Sequence, residues 1–210
     1  MKINKKEMSW GAALVASVAF LIVLGLTINE SMSFFSHPER GQTIYALDTA
    51  SLDRIEVPGF GEIEYQRLFE EISQPGEDLD AFILRLGPRM RAFTDRAGFE
   101  ACGLLATDGQ RFGVVVGSTL AHAACGSFLE AVPEGMTPTG ETVHSHRAGG
   151  VYRANESDHI LTGVRVGARF SAGSPDEFSR EDYHTPGYLV GARGVWHQAG
   201  RRSVRQVGQL

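Results

Sequence analysis

The sequence predicts an α/β domain over residues 77–210, preceded by one N-terminal transmembrane helix over residues 9–28. Three observations lead there. Met8–Asn29 is a run of 22 residues without a charge, a helix-periodic stretch begins near Asp78, and from Glu100 short apolar runs alternate with turn residues. A length of 210 residues, 42% of them hydrophobic and 21% charged, with two cysteines, is ordinary globular composition. It excludes a disordered, collagen-like or disulfide-framework protein.

The apolar heart of the first segment, Trp10–Ile28, reaches roughly 29 Å as a helix, close to the thickness of a bilayer's hydrocarbon core. Lys2, Lys5 and Lys6 precede it, and Glu30 and Glu39 follow. The positive-inside rule then places residues 1–8 in the cytoplasm and the body of the chain outside it. A cleaved signal peptide shares the basic start, but this run is long for one and no A-x-A-like site follows. No lysine occurs after Lys6, and the lysine-free, arginine-rich body suits a GC-rich bacterial genome. The expected location is the bacterial inner membrane, single-pass, with the folded domain in the periplasm. Beyond residue 7 the chain holds 17 Arg against 24 acidic residues, a net charge of −7. A domain this acidic has no electrostatic footprint for nucleic acid, which is excluded as a partner.

Residues 29–76 read as a juxtamembrane stalk or cap, with Pro38, Pro58, Gly41, Gly59 and Gly61 between β-like patches at Thr43–Leu47 and Arg54–Val57. Within it, Ile63, Leu68, Phe69 and Ile72 have helical spacing, which predicts a helix over Glu62–Ser73, broken by Gln74-Pro75-Gly76. A second helix is predicted from about Asp78 to Ala97, with Phe82, Ile83, Leu86, Met90 and Phe93 on one face and a kink or new turn at Pro88. Strands follow at Ala101–Leu105, Phe112–Val116, Phe128–Val132 and Glu141–His146, the first two joined by the turn signal Thr107-Asp108-Gly109-Gln110. Residues 147–178 hold five glycines and read as a long loop with one helix around Asp158–Gly163. Ser179–His184 looks like a helix start, and Gly187–Gly191 and Gly194–Gln198 form two final strands.

Three scattered pieces carry the chemistry. His144-Ser145-His146 lies on a predicted strand, where residues two apart share a face and two imidazoles reach one ion. Alone, the same pattern is two unrelated half-buried histidines. Ser179 and Asp182 lie three apart at a predicted helix start and can aim at one point. S-x-x-D is also a capping box, and a carboxylate committed to capping is not readily a ligand as well. Glu100 stands at the mouth of a buried strand, where a carboxylate is otherwise a solvated strand end. Together they match the needs of a hydrolytic metal. Such a site takes three protein ligands and leaves a position for water, with a separate carboxylate for proton transfer and a hydroxyl for the developing oxyanion.

With those residues in view, the sequence resembles the JAMM (MPN-plus) metalloproteases, in a divergent bacterial branch. Glu100-Ala-Cys-Gly-Leu-Leu, then His144-Ser-His146, then Ser179-x-x-Asp182 carry the resemblance over about residues 85–195. It implies a mixed sheet with flanking helices, similar to the deaminase-like architecture, and cleavage of peptide or isopeptide bonds. It further implies one zinc ion on His144, His146 and Asp182, with Glu100 as general base and Ser179 as oxyanion donor. The expected partners are a protein or peptide substrate and, through the N-terminal helix, the membrane. Two features depart from the family pattern: Arg147 stands where a proline is usual, and 32 residues, 147–178, separate His146 from Ser179.

Other readings stay open at this point. A non-catalytic MPN-like scaffold binding a partner at the membrane surface is the main alternative, although the full set of five residues argues against it. A cysteine hydrolase would use Cys102 or Cys125 as nucleophile and His144 as base. The two cysteines could equally pair in an oxidising compartment. His122, His159, His184 and His197 read as surface or satisfied histidines, with His184 closest to the site in sequence. Arg147, Arg153, Arg165 and Arg169 either clamp an acidic group or are solvated.

Overall fold

A computed structural model describes residues 44–45, 54–57, 61–129 and 131–210. The expected cytoplasmic segment 1–8, the transmembrane helix 9–28 and most of the stalk lie outside those residues. Among the described residues no helix is long and apolar enough to cross a membrane.

Among the described residues the fold is mixed α/β, with one large mixed sheet and two α-helices. The first described elements are two short strands, β1 (Ile44–Tyr45) and β2 (Arg54–Val57). Next come β3 (Gly61–Glu64), which pairs antiparallel with β2, and β4 (Gln66–Ile72). The helix expected over Glu62–Ser73 is therefore a pair of strands. The reason is a bulge: the register of β4 shifts between Arg67 and Phe69. An extra residue there breaks the period of two and spaces the apolar positions as a helix would.

Helix α1 (Leu79–Ala97) forms as the periodicity predicts. Asp78 caps its start, accepting the Ala81 N–H at 2.8 Å. Gly98 ends it in the left-handed conformation at φ 77°, its N–H donating to the Thr94 carbonyl. Pro88 lies inside the helix without ending it. Phe82, Ile83, Leu86 and Met90 are buried against the sheet, packing that offsets the local cost of the proline. The strands that follow are β5 (Cys102–Thr107), β6 (Phe112–Ser118), β7 (Ser127–Phe128) and β8 (Thr137–Ser145). The strand expected over Phe128–Val132 stops at Phe128, because the Ala131 N–H turns back onto the Phe128 carbonyl at 3.1 Å.

Residues 147–178 hold the expected helix and, beyond the expectation, a pair of short strands. They contain β9 (Val151–Arg153), α2 (Glu156–Thr162) and β10 (Arg169–Ser171), with β9 and β10 paired antiparallel. After them come a single 3-10 turn (Glu181–His184) in place of the expected helix start, then β11 (Gly187–Val190), β12 (Gly194–Gln198) and β13 (Val204–Gln209). The last of these was not expected: it is a mostly exposed edge strand of sequence VRQVGQ, with no apolar alternation to reveal it.

The large sheet runs β13-β12-β11-β8-β5-β6-β4. It takes in β4, so the sheet begins upstream of the boundary expected at residue 77. Only β8 and β11 run parallel in it. Parallel neighbours cannot be joined by a tight turn and need a crossover. Residues 146–186 are that crossover, which gives the long stretch after His146 a structural cause.

Met90 is fully buried between α1 and the sheet. Met90→Ala is expected to cost about 2–5 kcal/mol, read as a lower urea midpoint at unchanged slope. Cys102 and Cys125 form a disulfide that ties the start of β5 to the loop after β6. Both thiols are thereby used, and the cysteine-nucleophile reading falls.

Candidate metal centre

The site is built at the end of β8, where the chain leaves the sheet. Ser145, between the two histidines, points the other way and is buried. Its hydroxyl lies 2.6 Å from Thr94 Oγ1 and accepts the Ala101 N–H at 3.0 Å. The Ser145 N–H donates to the Ala101 carbonyl at 2.8 Å, so β8, β5 and α1 are locked together behind the site. The His146 N–H reaches the Val190 carbonyl at 3.3 Å, and Arg91 of α1 donates to the His146 carbonyl. With Ser145 fixed, His144 and His146 face the opposite side together.

The 3-10 turn brings Asp182 to them. Gln198 of β12 holds that turn from below, its side-chain amide donating to the Asp182 and Thr185 carbonyls at 2.7 and 2.6 Å. Asp182 Oδ2 accepts the Ser179 N–H at 2.6 Å, and Ser179 Oγ accepts the Asp182 N–H at 3.3 Å. This is the reciprocal capping arrangement. Yet Asp182 Oδ1 lies 3.4 Å from His144 Nε2, and Oδ2 lies 3.6 Å from His146 Nε2. The cap therefore does not draw the carboxylate away from the histidines: its two oxygens have lone pairs enough to accept the Ser179 N–H and still face His144 and His146.

The two Nε2 atoms stand 3.2 Å apart. Ligand atoms about 2.0–2.2 Å from a tetrahedral ion would be spaced about 3.3–3.6 Å from one another. The 3.2 Å between the two Nε2 atoms and the 3.4 Å from His144 Nε2 to Asp182 Oδ1 lie close to that spacing, while the other carboxylate oxygen, Oδ2, is the one 3.6 Å from His146 Nε2. His144 Nδ1 is buried without a hydrogen-bond partner, so this ring engages its surroundings through Nε2. His144, His146 and Asp182 form a group that could hold a metal ion.

Protonation favours the same outcome. Burial, then the neighbouring His144, lower His146 to about 4, against opposing effects from Asp182 and from the backbone of Ser174 and Glu177. Burial alone would raise Asp182, but His144 and His146 beside it, with the Ser179 N–H, hold its carboxyl well below the usual carboxylate range. At neutral pH His146 is thus a neutral imidazole beside the Asp182 carboxylate, the state a metal requires of these two groups. For the metal-free protein the sign is fixed: His146 takes a proton near 6.5 when unfolded but only near 4 when folded. Between those values acid favours unfolding, by up to about 1.4 kcal/mol per pH unit. Thermal melting in chelator is expected to show this loss, and His146→Gln to reduce it.

Glu100 is buried at the start of β5, its Oε1 4.0 Å from His146 Nε2. Its backbone is held on both sides, the N–H by the Ala121 carbonyl at 3.0 Å and the carbonyl by Ser118 Oγ at 2.7 Å. Burial, then the Asp182 and Asp158 carboxylates, push its carboxyl well above the ordinary range. The structure therefore places Glu100, His144, His146 and Asp182 together, with Ser179 bonded to Asp182.

Among the described residues, the other histidines lie outside this group. His122 Nδ1 lies 2.6 Å from Oδ2 of the fully buried Asp158, and its ring stacks on Tyr152. His197 pairs with Glu141 at 3.2 Å, and His184 is exposed and outside the ligand group. Arg147 lies over the Tyr152 ring at 4.0 Å, while Arg153 and Arg169 stand opposite each other on β9 and β10, exposed. Asp158 was missed as a neighbour of the site, since its only sequence signal, Asn155-x-x-Asp158, reads as a helix cap. It does form that cap, and it also bonds His122 and raises Glu100.

Comparison with known proteins adds no name: no protein-family model, no curated protein and no solved structure matches this chain.

Proposed function

We propose that the chain is a zinc-dependent hydrolase of a peptide or isopeptide bond, with His144, His146 and Asp182 as zinc ligands. The observation that carries this reading is the grouping of His144 Nε2, His146 Nε2 and the two Asp182 carboxylate oxygens at 3.2–3.6 Å, with a buried carboxylate, Glu100, 4.0 Å from His146 Nε2. Two imidazoles and one carboxylate are a catalytic zinc's usual complement, although ligand type admits manganese or iron. The likeness of Glu100–Leu105, His144–His146 and Ser179–Asp182 to JAMM metalloproteases, and the mixed sheet with flanking helices, agree with it.

Held by His144, His146 and Asp182, zinc would supply Lewis acidity, which lowers the pKa of water toward about 7. Glu100 takes the proton of the attacking water and delivers it to the leaving nitrogen. Its burial and its place 4.0 Å from His146 Nε2 suit that role, because a general acid–base group must stand within reach of the reacting water. Ser179 Oγ accepts the Asp182 N–H, so its own proton remains available to donate to the developing oxyanion. The Cys102–Cys125 disulfide supports a periplasmic location for a domain carried on the N-terminal membrane helix.

Purified full-length protein in neutral detergent is expected to carry near-stoichiometric zinc by elemental analysis. Its hydrolysis of a peptide or isopeptide library should stop with chelator and return with added zinc. Absence of metal even after zinc is supplied would leave the scaffold reading in place of the enzyme.

A further inference from the structure

A cleft of about 540 Å³, a volume usual for a ligand site, is lined in part by Phe99, the residue before Glu100. Its walls come from the β2–β3 hairpin, the turn after β6 and helix α2. Ile63, Phe99, Leu120 and Ile160 supply an apolar lining, while Arg54, Glu62, Glu64 and Glu156 supply charge. Arg54 is engaged by Glu62 at 3.3 Å. Glu64 and Glu156 have no cationic partner among the described residues.

A second observation is independent of charge. Leu120 has φ 56°, the one non-glycine residue with positive φ among those described. For a bulky side chain this conformation is strained, and glycine or asparagine would adopt it at lower cost. The strain is held in place: the Leu120 N–H donates to Ser118 Oγ at 3.1 Å, and its carbonyl accepts from Asn155 Nδ2 at 2.7 Å. What the leucine provides in return is an apolar wall of the cleft. The same turn also reaches the site, because the next residue, Ala121, holds the Glu100 backbone, and Phe99 precedes Glu100.

We propose that this cleft receives a substrate segment carrying an apolar side chain next to a basic one, recognised by Leu120 and Phe99 and by Glu64 and Glu156. The proposal rests on the hydrolase reading for the word substrate. Two unpaired carboxylates over an apolar lining complement the methylene stem and cationic head of arginine or lysine. The chain's own residues 46–53 do not fit this description, for they carry Asp48 and Asp53 and no base.

The test measures binding apart from turnover. Dye-labelled acetyl-Gly-Leu-Arg-Gly-amide and its Leu-Glu counterpart are titrated with the full chain in neutral detergent, in chelator, and followed by fluorescence anisotropy. The arginine peptide is expected to bind at least tenfold tighter. Glu64→Arg should abolish or reverse that preference, and Leu120→Gly, which keeps the backbone conformation, should weaken the arginine peptide. Equal binding of the two peptides, an unchanged preference in Glu64→Arg, or displacement by a peptide of residues 46–53 would overturn the proposal. Hydrolysis of the same peptides with zinc separates the two readings. Charge-selective binding without hydrolysis of any peptide retains the cleft and removes the hydrolase, while hydrolysis without charge preference removes the cleft alone.

Discussion

Asp182→Asn is expected to empty the metal site while leaving the fold intact. The substitution keeps a side-chain oxygen that can accept the Ser179 N–H, so the 3-10 turn retains its cap. It removes the negative charge and one of the two oxygens that face His144 and His146. Groups that merely orient a metal ligand already cost about 10–100-fold in affinity when removed, so loss of a ligand should exceed that. Metal content by elemental analysis should fall from near-stoichiometric to a trace, with hydrolysis at background and an unchanged far-ultraviolet circular dichroism spectrum. His144→Ala should do the same with some loss of stability, since that ring is buried. Full metal content in Asp182→Asn would mean that the ligand set is wrong.

Glu100→Gln should behave oppositely, retaining metal and losing turnover by roughly 10²–10⁴-fold, the usual contribution of a general acid–base group. It also carries a prediction for the metal-free protein. The Glu100 carboxyl has a folded-state pKa well above its ordinary 4.5. The folded state therefore binds this proton more tightly than the unfolded state, and stability falls as pH rises from about 4.5 toward the folded-state value. Glutamine cannot ionise. In chelator at neutral pH, Glu100→Gln should melt at a higher temperature than the parent, and the difference should vanish below pH 4. A variant that turns over at the parental rate would exclude Glu100 as the base. One that melts no higher would mean that the carboxylate is not buried at a cost.

Parts of this molecule were legible in the sequence because local rules decide them. Helix α1 has an N-cap aspartate, an apolar stripe and a C-cap glycine, and it forms nearly where expected. β5, β6, β11 and β12 are short apolar runs between turn residues, and they form too. His144 and His146 could be paired because the two-residue period of a strand puts them on one face before any neighbour is known. Other parts failed for identifiable reasons. The β4 bulge imitates helical spacing, so Glu62–Ser73 reads as the wrong element. β13 is a mostly exposed edge strand, and edge strands facing water need no hydrophobic alternation.

What the sequence determined by itself is the set of residues able to do chemistry: two imidazoles two apart, a capped aspartate, a carboxylate at a strand mouth and two cysteines. What only the tertiary structure decided is which of them meet. The parallel pairing of β8 and β11 forces a long crossover, and that crossover returns Asp182 to the histidines and Asp158 to the neighbourhood of Glu100. The same folding pairs Cys102 with Cys125 and leaves neither thiol free. Local propensity acts over a few residues, whereas a metal site needs atoms within a few ångströms from segments tens of residues apart. That proximity is set by strand order and packing, which no single segment encodes.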